Sequence, residues 1–229
     1  MVSYSIEIIT NRDYRLEVMT HKVRQKPPEK VWADFKEREK ISSEQLEKFQ
    51  AYQALLSEWN KVMNLTAIRG LSEIVHRHFS DSLALRNFID LSSAVIADIG
   101  SGAGFPGIPL KIMFPDLGVV LIEVSKKKQR FLNTVIKTLG LKDIEICGLD
   151  WRTFLRTTEG EIDYFLARAS MDPVELCRMF KPGCTYKGSK LVYWATSDWE
   201  PDQAIEKFVL KEFNYTLKRK KRKLVLMGL

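Results

Sequence analysis

The stretch Val95-Ile96-Ala97-Asp98-Ile99-Gly100-Ser101-Gly102-Ala103-Gly104-Phe105-Pro106-Gly107 closes an apolar run with an acid and then places glycine at alternate positions. Glycines at 100, 102 and 104 let backbone amides approach a ligand closely, at the carboxyl end of a strand, where open α/β sheets hold their ligands. Two registers compete. Gly102-x-Gly104-x-x-Gly107 satisfies the dinucleotide fingerprint literally, but Pro106 stands where a pyrophosphate-binding turn must enter its helix, and the register with Gly100 first fits better. Two further acids stand at matching places. Glu123 ends the next apolar run, where a carboxylate accepts from ribose hydroxyls, and Asp150-Trp151 follow the third, where an exocyclic amine and a base ring would lie.

These residues need elements to position them. Short apolar runs at Val95–Ile99, Val119–Ile122, Ile144–Cys147, Ile162–Leu166 and Leu191–Trp194 alternate with helical stretches, which is the pattern of a parallel sheet covered on both faces. The clearest helix runs from Ser125 to Leu139, with Phe131, Val135 and Leu139 on one side and Gly140 as its C-terminal cap. Before the sheet, Ser42-x-x-Gln45 has capping-box spacing and opens a helix of about four turns, and a second helix is expected from Ser72 to Phe88. In that second helix Val75, Phe79 and Leu83 point inward, while His78, Asp81 and Ser82 share another face. Residues 1–24 alternate as a β-hairpin around Asn11-Arg12-Asp13, and after Pro27-Pro28 a short charged helix carries Val31, Trp32 and Phe35, its charged face explained by solvent. The tail, Ala204–Tyr215 and Lys223–Met227, supplies either a last helix or further strands. The chain divides by pattern into an appendage (1–41), a helical subdomain (42–90) and an α/β domain (91–229).

Composition narrows the class. The chain has 229 residues, 45% of them hydrophobic, enough for one α/β domain with a small addition. No apolar run is long enough to span a bilayer and the N-terminus lacks the order of a secretory signal, so the expected address is the cytoplasm, with no membrane partner. Cys147, Cys177 and Cys184 form no CxxC pair and stand far from His21, His76 and His78, so neither disulfides nor a metal site are expected. Without an apolar exposed stripe the expected state is a monomer. The net charge is +7, and six of those charges come from the consecutive cations Lys218–Lys223. Such a run suits either a solvated loop or a polyanion such as nucleic acid.

Read from Gly100, the loop Asp98-x-Gly100-x-Gly102-x-Gly104 resembles the first motif of class I S-adenosylmethionine-dependent methyltransferases. The wider chain is similar to one family, the bacterial small-subunit (16S) ribosomal RNA guanine-N7 methyltransferases, also called glucose-inhibited division protein B. The matching text is Trp59-Asn60, Asn64-Leu65-Thr66-Ala67, Arg77-His78 with Asp81-Ser82, and Asp98 through Leu110, followed by Glu123, Lys127-Lys128, Phe131-Leu132, Asp163 and Arg168-Ala169. The resemblance covers roughly Ser42 to the C-terminus. It implies a class I, Rossmann-like α/β sheet with helices on both faces behind a small helical subdomain, S-adenosylmethionine as cofactor, and ribosomal RNA as substrate.

The resemblance also implies site residues. Gly100, Phe105 and Arg168 match the family's cofactor positions, Asp98, Gly102, Gly104, Glu123, Asp150, Trp151 and Arg152 complete the expected cofactor site, and Arg168 is the one expected to act at the reacting centre by contacting cofactor and steadying the guanine. Arg77, His78, Asp81 and Ser82 either order the loop or touch RNA, and Lys127 and Lys128 suit phosphates. The chain departs from the family where Trp151-Arg152 replaces an alanine-glutamate pair, and where Tyr193-Trp194-Ala195 runs on without the usual lysine-glycine. A non-catalytic RNA-binding or assembly relative, and a methyltransferase with another substrate, are the competing readings.

Overall fold

The computed structural model describes residues 27–229 and the backbone of residues 4–6 and 20–22. Strands β1 (Tyr4–Ile6) and β2 (Thr20–Lys22) pair antiparallel as a hairpin, with Ser5 opposite His21. The expected turn at Asn11–Asp13 lies outside the described residues. Helix α1 (Pro28–Glu39) begins with proline in its first turn, where the missing N–H costs no bond, and buries Val31, Trp32 and Phe35. Its charged face does more than meet solvent. Glu39 accepts from Arg38 and Arg86, both at 2.9 Å, and Arg38 Nη2 donates to Ser80 Oγ at 2.7 Å.

Helix α2 (Ser43–Met63) starts at the capping box: Ser42 Oγ accepts from Gln45 N, and Gln45 Oε1 accepts from Ser42 N. At 21 residues it is longer than four turns, running past Trp59 through Asn60, Lys61, Val62 and Met63. Next come α3 (Leu71–Ile74), a π-helical turn (Val75–Ser80), α4 (Asp81–Leu83) and a 3₁₀ turn (Ala84–Asn87) in one continuous helical rod. In the π turn the Asp81 N–H reaches back five residues to His76 O. Val75, Phe79 and Leu83 are fully buried, as their spacing requires.

The sheet follows: β3 (Val95–Ile99), α5 (Gly107–Met113), β4 (Gly118–Ile122), α6 (Lys126–Leu139), β5 (Ile144–Cys147), α7 (Trp151–Thr157), β6 (Tyr164–Ala167), α8 (Pro173–Leu176), β7 (Lys190–Thr196), β8 (Val209–Leu217) and β9 (Lys220–Met227). Seven strands stand in the order β5-β4-β3-β6-β7-β9-β8. Strands β3 to β7 are parallel, and β9 runs antiparallel between β7 and β8. The tail therefore forms strands. Gly140, left-handed at φ 60°, ends α6 as expected.

Side chains alternate across the sheet. Ile96, Val119, Leu121, Leu166, Val192, Trp194 and Leu224 face the core shared with α1, α2, Phe79 and α6, whereas Ala97, Ile99, Phe165, Ala167, Leu191 and Val225 face a second core with Trp151, Phe154 and Phe180. The boundaries drawn at 41 and 90 mark changes of sequence pattern. One apolar core crosses both, since Trp32, Phe35, Phe49 and Phe79 stack together over the sheet.

The cationic run is divided by strand geometry. Lys223 is buried, 2.8 Å from Glu212 and donating to Trp199 O at 3.0 Å, Arg222 reaches Asp81, and Lys218 pairs with Glu73 at 3.0 Å. Arg219, Lys220 and Lys221 remain exposed. Half the run is thus structural, contrary to a wholly solvated loop.

Candidate active site

Strand order reverses between β4-β3 and β6-β7, so the carboxyl ends of β3 and β6 open a crevice that the glycine loop fills. Gly100, Gly102 and Gly104 have φ of 65°, 60° and 91°, which side-chain-bearing residues rarely adopt. Their surroundings differ. A Cβ on Gly104 would lie 2.5 Å from Ile108 Cδ1 and 2.8 Å from Tyr52 Oη, and one on Gly100 would lie 2.8 Å from Ser170 Cβ, whereas one on Gly102 would meet only Gly100 O, at 3.8 Å. Gly100 and Gly104 serve packing; Gly102 faces open space.

Asp98 is fully buried beneath this loop. Its Oδ2 accepts from Gly107 N at 2.9 Å, its Oδ1 has no partner, and burial pushes its carboxyl up to about 7. Ser170 Oγ, beside Gly100, is a second buried polar atom without a partner. Buried polar atoms are ordinarily satisfied, so two orphans flanking a glycine cradle fit a ligand carrying both cationic and polar groups. The residues present therefore fit the amino-acid end of S-adenosylmethionine.

Glu123 braces the loop. Its Oε2 accepts from Gly102 N and its Oε1 from Ser125 N, both at 2.9 Å, with Lys128 Nζ 3.8 Å away. A carboxylate so placed still has acceptor capacity for a hydroxyl. Phe105 is buried against protein: its ring stacks on His78 with centroids 4.3 Å apart and planes 5° apart, and on Tyr52 at 5.4 Å, with the Arg168 guanidinium 5.4 Å from its centroid. Phe105 thus anchors the loop. Tyr52, which the sequence did not single out, donates its hydroxyl to Ala103 O; burial raises its pKa well above the ordinary value, so it stays a donor.

Arg168, just past β6, is held by the helical rod. Nη1 donates to Asp81 Oδ2 and to Arg77 O, each at 3.1 Å, and Nη2 lies 2.8 Å from His78 Nδ1. Asp81 is a hub: Tyr215 Oη donates to its Oδ1 at 2.6 Å, Arg222 Nε lies 3.1 Å from the same oxygen, and Trp194 Nε1 donates to its backbone carbonyl at 3.0 Å. Burial, with Arg168 and Arg77 beside it, lowers His78 to about 3, so the ring is neutral at neutral pH. Ser82 is fully buried with its hydroxyl on His78 O at 2.6 Å. Of the two roles open to this face, His78, Asp81 and Ser82 have the ordering one, because burial removes them from RNA. Arg77 remains exposed, its guanidinium 4.0 Å from Glu73.

On the adenine side, each residue is engaged with protein. Asp150 caps α7, accepting from Thr153 N at 3.1 Å and Thr153 Oγ1 at 2.6 Å. Trp151 is buried against Phe154 and Phe165, with Nε1 donating to Glu175 O at 3.2 Å, so it stacks on protein and not on a ligand. Arg152 forms a two-point fork with Glu175 at 2.7 and 3.0 Å, which pulls that carboxyl down to about 2 and directs the guanidinium to α8. Lys127 is exposed on α6 and Lys128 half-buried beside Glu123.

Among the described residues, no helix is long and apolar enough to cross a membrane, and no group of three or more His, Cys, Asp or Glu is placed to hold a metal ion. Among solved structures, TrmN from Thermus thermophilus superposes with a TM-score of 0.51 at 14% identity, over 74% of this chain and 53% of that one. That likeness shows the fold, the class I methyltransferase sheet that the glycine loop implied. The ribosomal RNA small subunit methyltransferase G of Acetivibrio thermocellus is 49% identical over 104 residues, 45% of this chain and 43% of that protein. Its counterpart from Halalkalibacterium halodurans is 42% identical over 132 residues, 56% of each. The chain spans about half the length of the curated relatives it matches. A family model described as GidB, rRNA small subunit methyltransferase G, matches residues 45–225. With the cradle, Arg168 and the helical rod all inside that match, the chain belongs to the rRNA small subunit methyltransferase G family.

Proposed function

We propose that this protein transfers a methyl group from S-adenosylmethionine to N7 of a guanine in small-subunit ribosomal RNA. The observation that carries the reading is the cradle itself, a glycine loop with Gly102 open and with the buried Asp98 Oδ1 and Ser170 Oγ uncommitted, within a chain of this family. The cofactor supplies an electrophilic methyl on a sulfonium. Guanine N7 carries its lone pair unprotonated, so the protein's work is alignment and not proton removal. The cradle suits that division of labour: His78 is neutral with both nitrogens engaged, and Arg168, fixed by Asp81, presents a guanidinium beside the loop. Glu123 is the group for ribose hydroxyls, and Arg77, Lys127 and the exposed Arg219–Lys221 turn are the groups for RNA phosphates.

The test is methyl incorporation from labelled S-adenosylmethionine into small-subunit RNA taken from a strain lacking the protein, with the modified base mapped. Labelled 7-methylguanine is expected. A folded protein that binds neither S-adenosylmethionine nor S-adenosylhomocysteine overturns the reading in favour of a non-catalytic relative, which Asp150 and Trp151, committed to capping and core, would favour.

Asp98 makes the reading pH-sensitive. With its folded pKa raised to about 7, the stability linked to this carboxyl is full below its ordinary value and is lost as pH rises through about 7. A cationic amine beside Oδ1 reverses the penalty on the charged form, so binding releases a proton. Affinity for S-adenosylhomocysteine is expected to rise between about pH 6 and 7, by up to about tenfold, and then to level off. Calorimetric titrations across that range check it. Asp98→Asn should abolish the dependence, and a pH-independent wild type would remove Asp98 from the cofactor site.

A further inference from the structure

A second concave site lies between the last turns of α2, the 64–70 loop and the start of α3, lined on its polar side by Ser57, Asn60, Lys61, Thr66, Arg69 and Gly70. Following the protons shows what it offers. A guanidinium only donates, so His78 Nδ1 accepts from Arg168, the ring proton sits on Nε2, and Nε2 donates to Thr66 Oγ1 at 2.8 Å. Ile68 N donates to the same oxygen at 3.0 Å. Both lone pairs of Thr66 Oγ1 are filled and its own hydrogen is uncommitted. Ser57 Oγ likewise accepts from Gln53 Nε2 at 2.7 Å and keeps a hydrogen to give. Asn60 is occupied at both ends by the Thr66 backbone, N and O each at 2.9 Å, which fixes Thr66 in place.

Two hydroxyls with a hydrogen to give, an ammonium and a guanidinium thus belong to the lining of a pocket that has no carboxylate. A lining of cations and hydroxyl donors without an acid is matched by an anion that accepts in several directions, as a phosphate does. The surroundings favour a nucleic-acid backbone over free phosphate. Three residues past Gly70, Glu73 is bonded to Lys218 and stands beside Arg77, which ties the start of α3 to the β8–β9 turn that carries the exposed Lys220 and Lys221.

We propose that this pocket seats a backbone phosphate of the RNA substrate, away from the glycine cradle; the proposal rests on the reading that the protein acts on RNA. Seated on Thr66, the phosphate is joined to Arg168 by an unbroken series of hydrogen bonds through His78. RNA docking and the orientation of the active-site guanidinium are thereby coupled.

The experiment compares the full chain with Lys61→Gln/Arg69→Gln in binding a labelled single-stranded RNA of about twelve nucleotides between about 50 and 200 mM salt. The double variant is expected to bind less tightly, with a log–log salt slope shallower by about 1, and to keep wild-type affinity for S-adenosylhomocysteine. Ser57→Ala, which leaves charge unchanged, should weaken RNA binding with the slope retained. An unchanged slope and affinity in the double variant overturns the proposal, as does inorganic phosphate binding that depends on Lys61 and Arg69 while RNA binding does not. Loss of salt-sensitive RNA binding in the variant of a protein that binds no S-adenosylhomocysteine would uphold the pocket and overturn the transferase reading alone. The converse, normal cofactor binding with no RNA affinity, would overturn the pocket alone.

Discussion

Asp81→Ala is expected to destabilise the fold by about 3–5 kcal/mol, the usual cost of removing one partner from a buried ion pair. Its side chain is 4% exposed and that of Arg168 12%, so no solvent replaces the lost carboxylate. The deletion also strips an acceptor from Tyr215 and a counter-charge from Arg222. Urea denaturation of the two proteins measures the effect, and titration with S-adenosylhomocysteine should show affinity falling with it, as Arg168 loses its counter-charge and is left on Arg77 O and His78 alone. Tyr215→Phe removes one hydrogen bond from the same hub and should cost about 1 kcal/mol. A loss of less than about 1 kcal/mol in Asp81→Ala would show that the rod and the sheet are joined by their apolar core and not by this hub.

Gly102→Val should lower cofactor affinity at least about a hundredfold, near 2.7 kcal/mol, with a stability loss of only about 1–2 kcal/mol for a side chain held at positive φ. The separation arises because a Cβ there meets no protein atom but Gly100 O, and projects into the space a ligand would take. Gly104→Ala is the contrasting control. Its Cβ collides with Ile108 and Tyr52, so the melting temperature should fall along with affinity. Normal cofactor affinity in a folded Gly102→Val protein would displace the ligand from this loop.

What could be read in advance follows from how local each cause is. Strands β3 and β5 have the expected bounds although each holds one acid, Asp98 and Glu145, because their other residues are apolar and a glycine follows each directly. The start of α2 was legible in Ser42 and Gln45, and the end of α6 in Gly140, since a cap is a contact within a few residues. The burial of Trp151 was not legible because what buries it, Phe165 and the Glu175 carbonyl, lies far along the chain. The cationic run was half misread for the same reason: Lys223 is buried only because Glu212 stands near it on the neighbouring strand, and Arg222 only because Asp81 reaches it from the helical rod. Within the site, the glycines and Glu123 stood out by type and position, and Arg168 through the resemblance. Tyr52 and Thr66 did not, because neither the α2 stretch nor a short loop gave a sign of where their hydroxyls would point.

The π turn at Val75–Ser80 makes the length of the helical rod as consequential as its composition. Such a turn holds one residue more than the α-helix it interrupts, and here that residue lies between the rod's anchored start and Asp81. The wider turn absorbs that residue, so the segments on either side keep the register of an unbroken α-helix. Loss of a single codon before Asp81 is therefore tolerable, because the turn can revert to α geometry and leave the carboxylate facing Arg168, Tyr215 and Arg222, whereas loss of a second would turn everything beyond by about 100° and take it from all three. Natural variation in this segment should therefore admit the loss of one residue together with the π turn, and not of two.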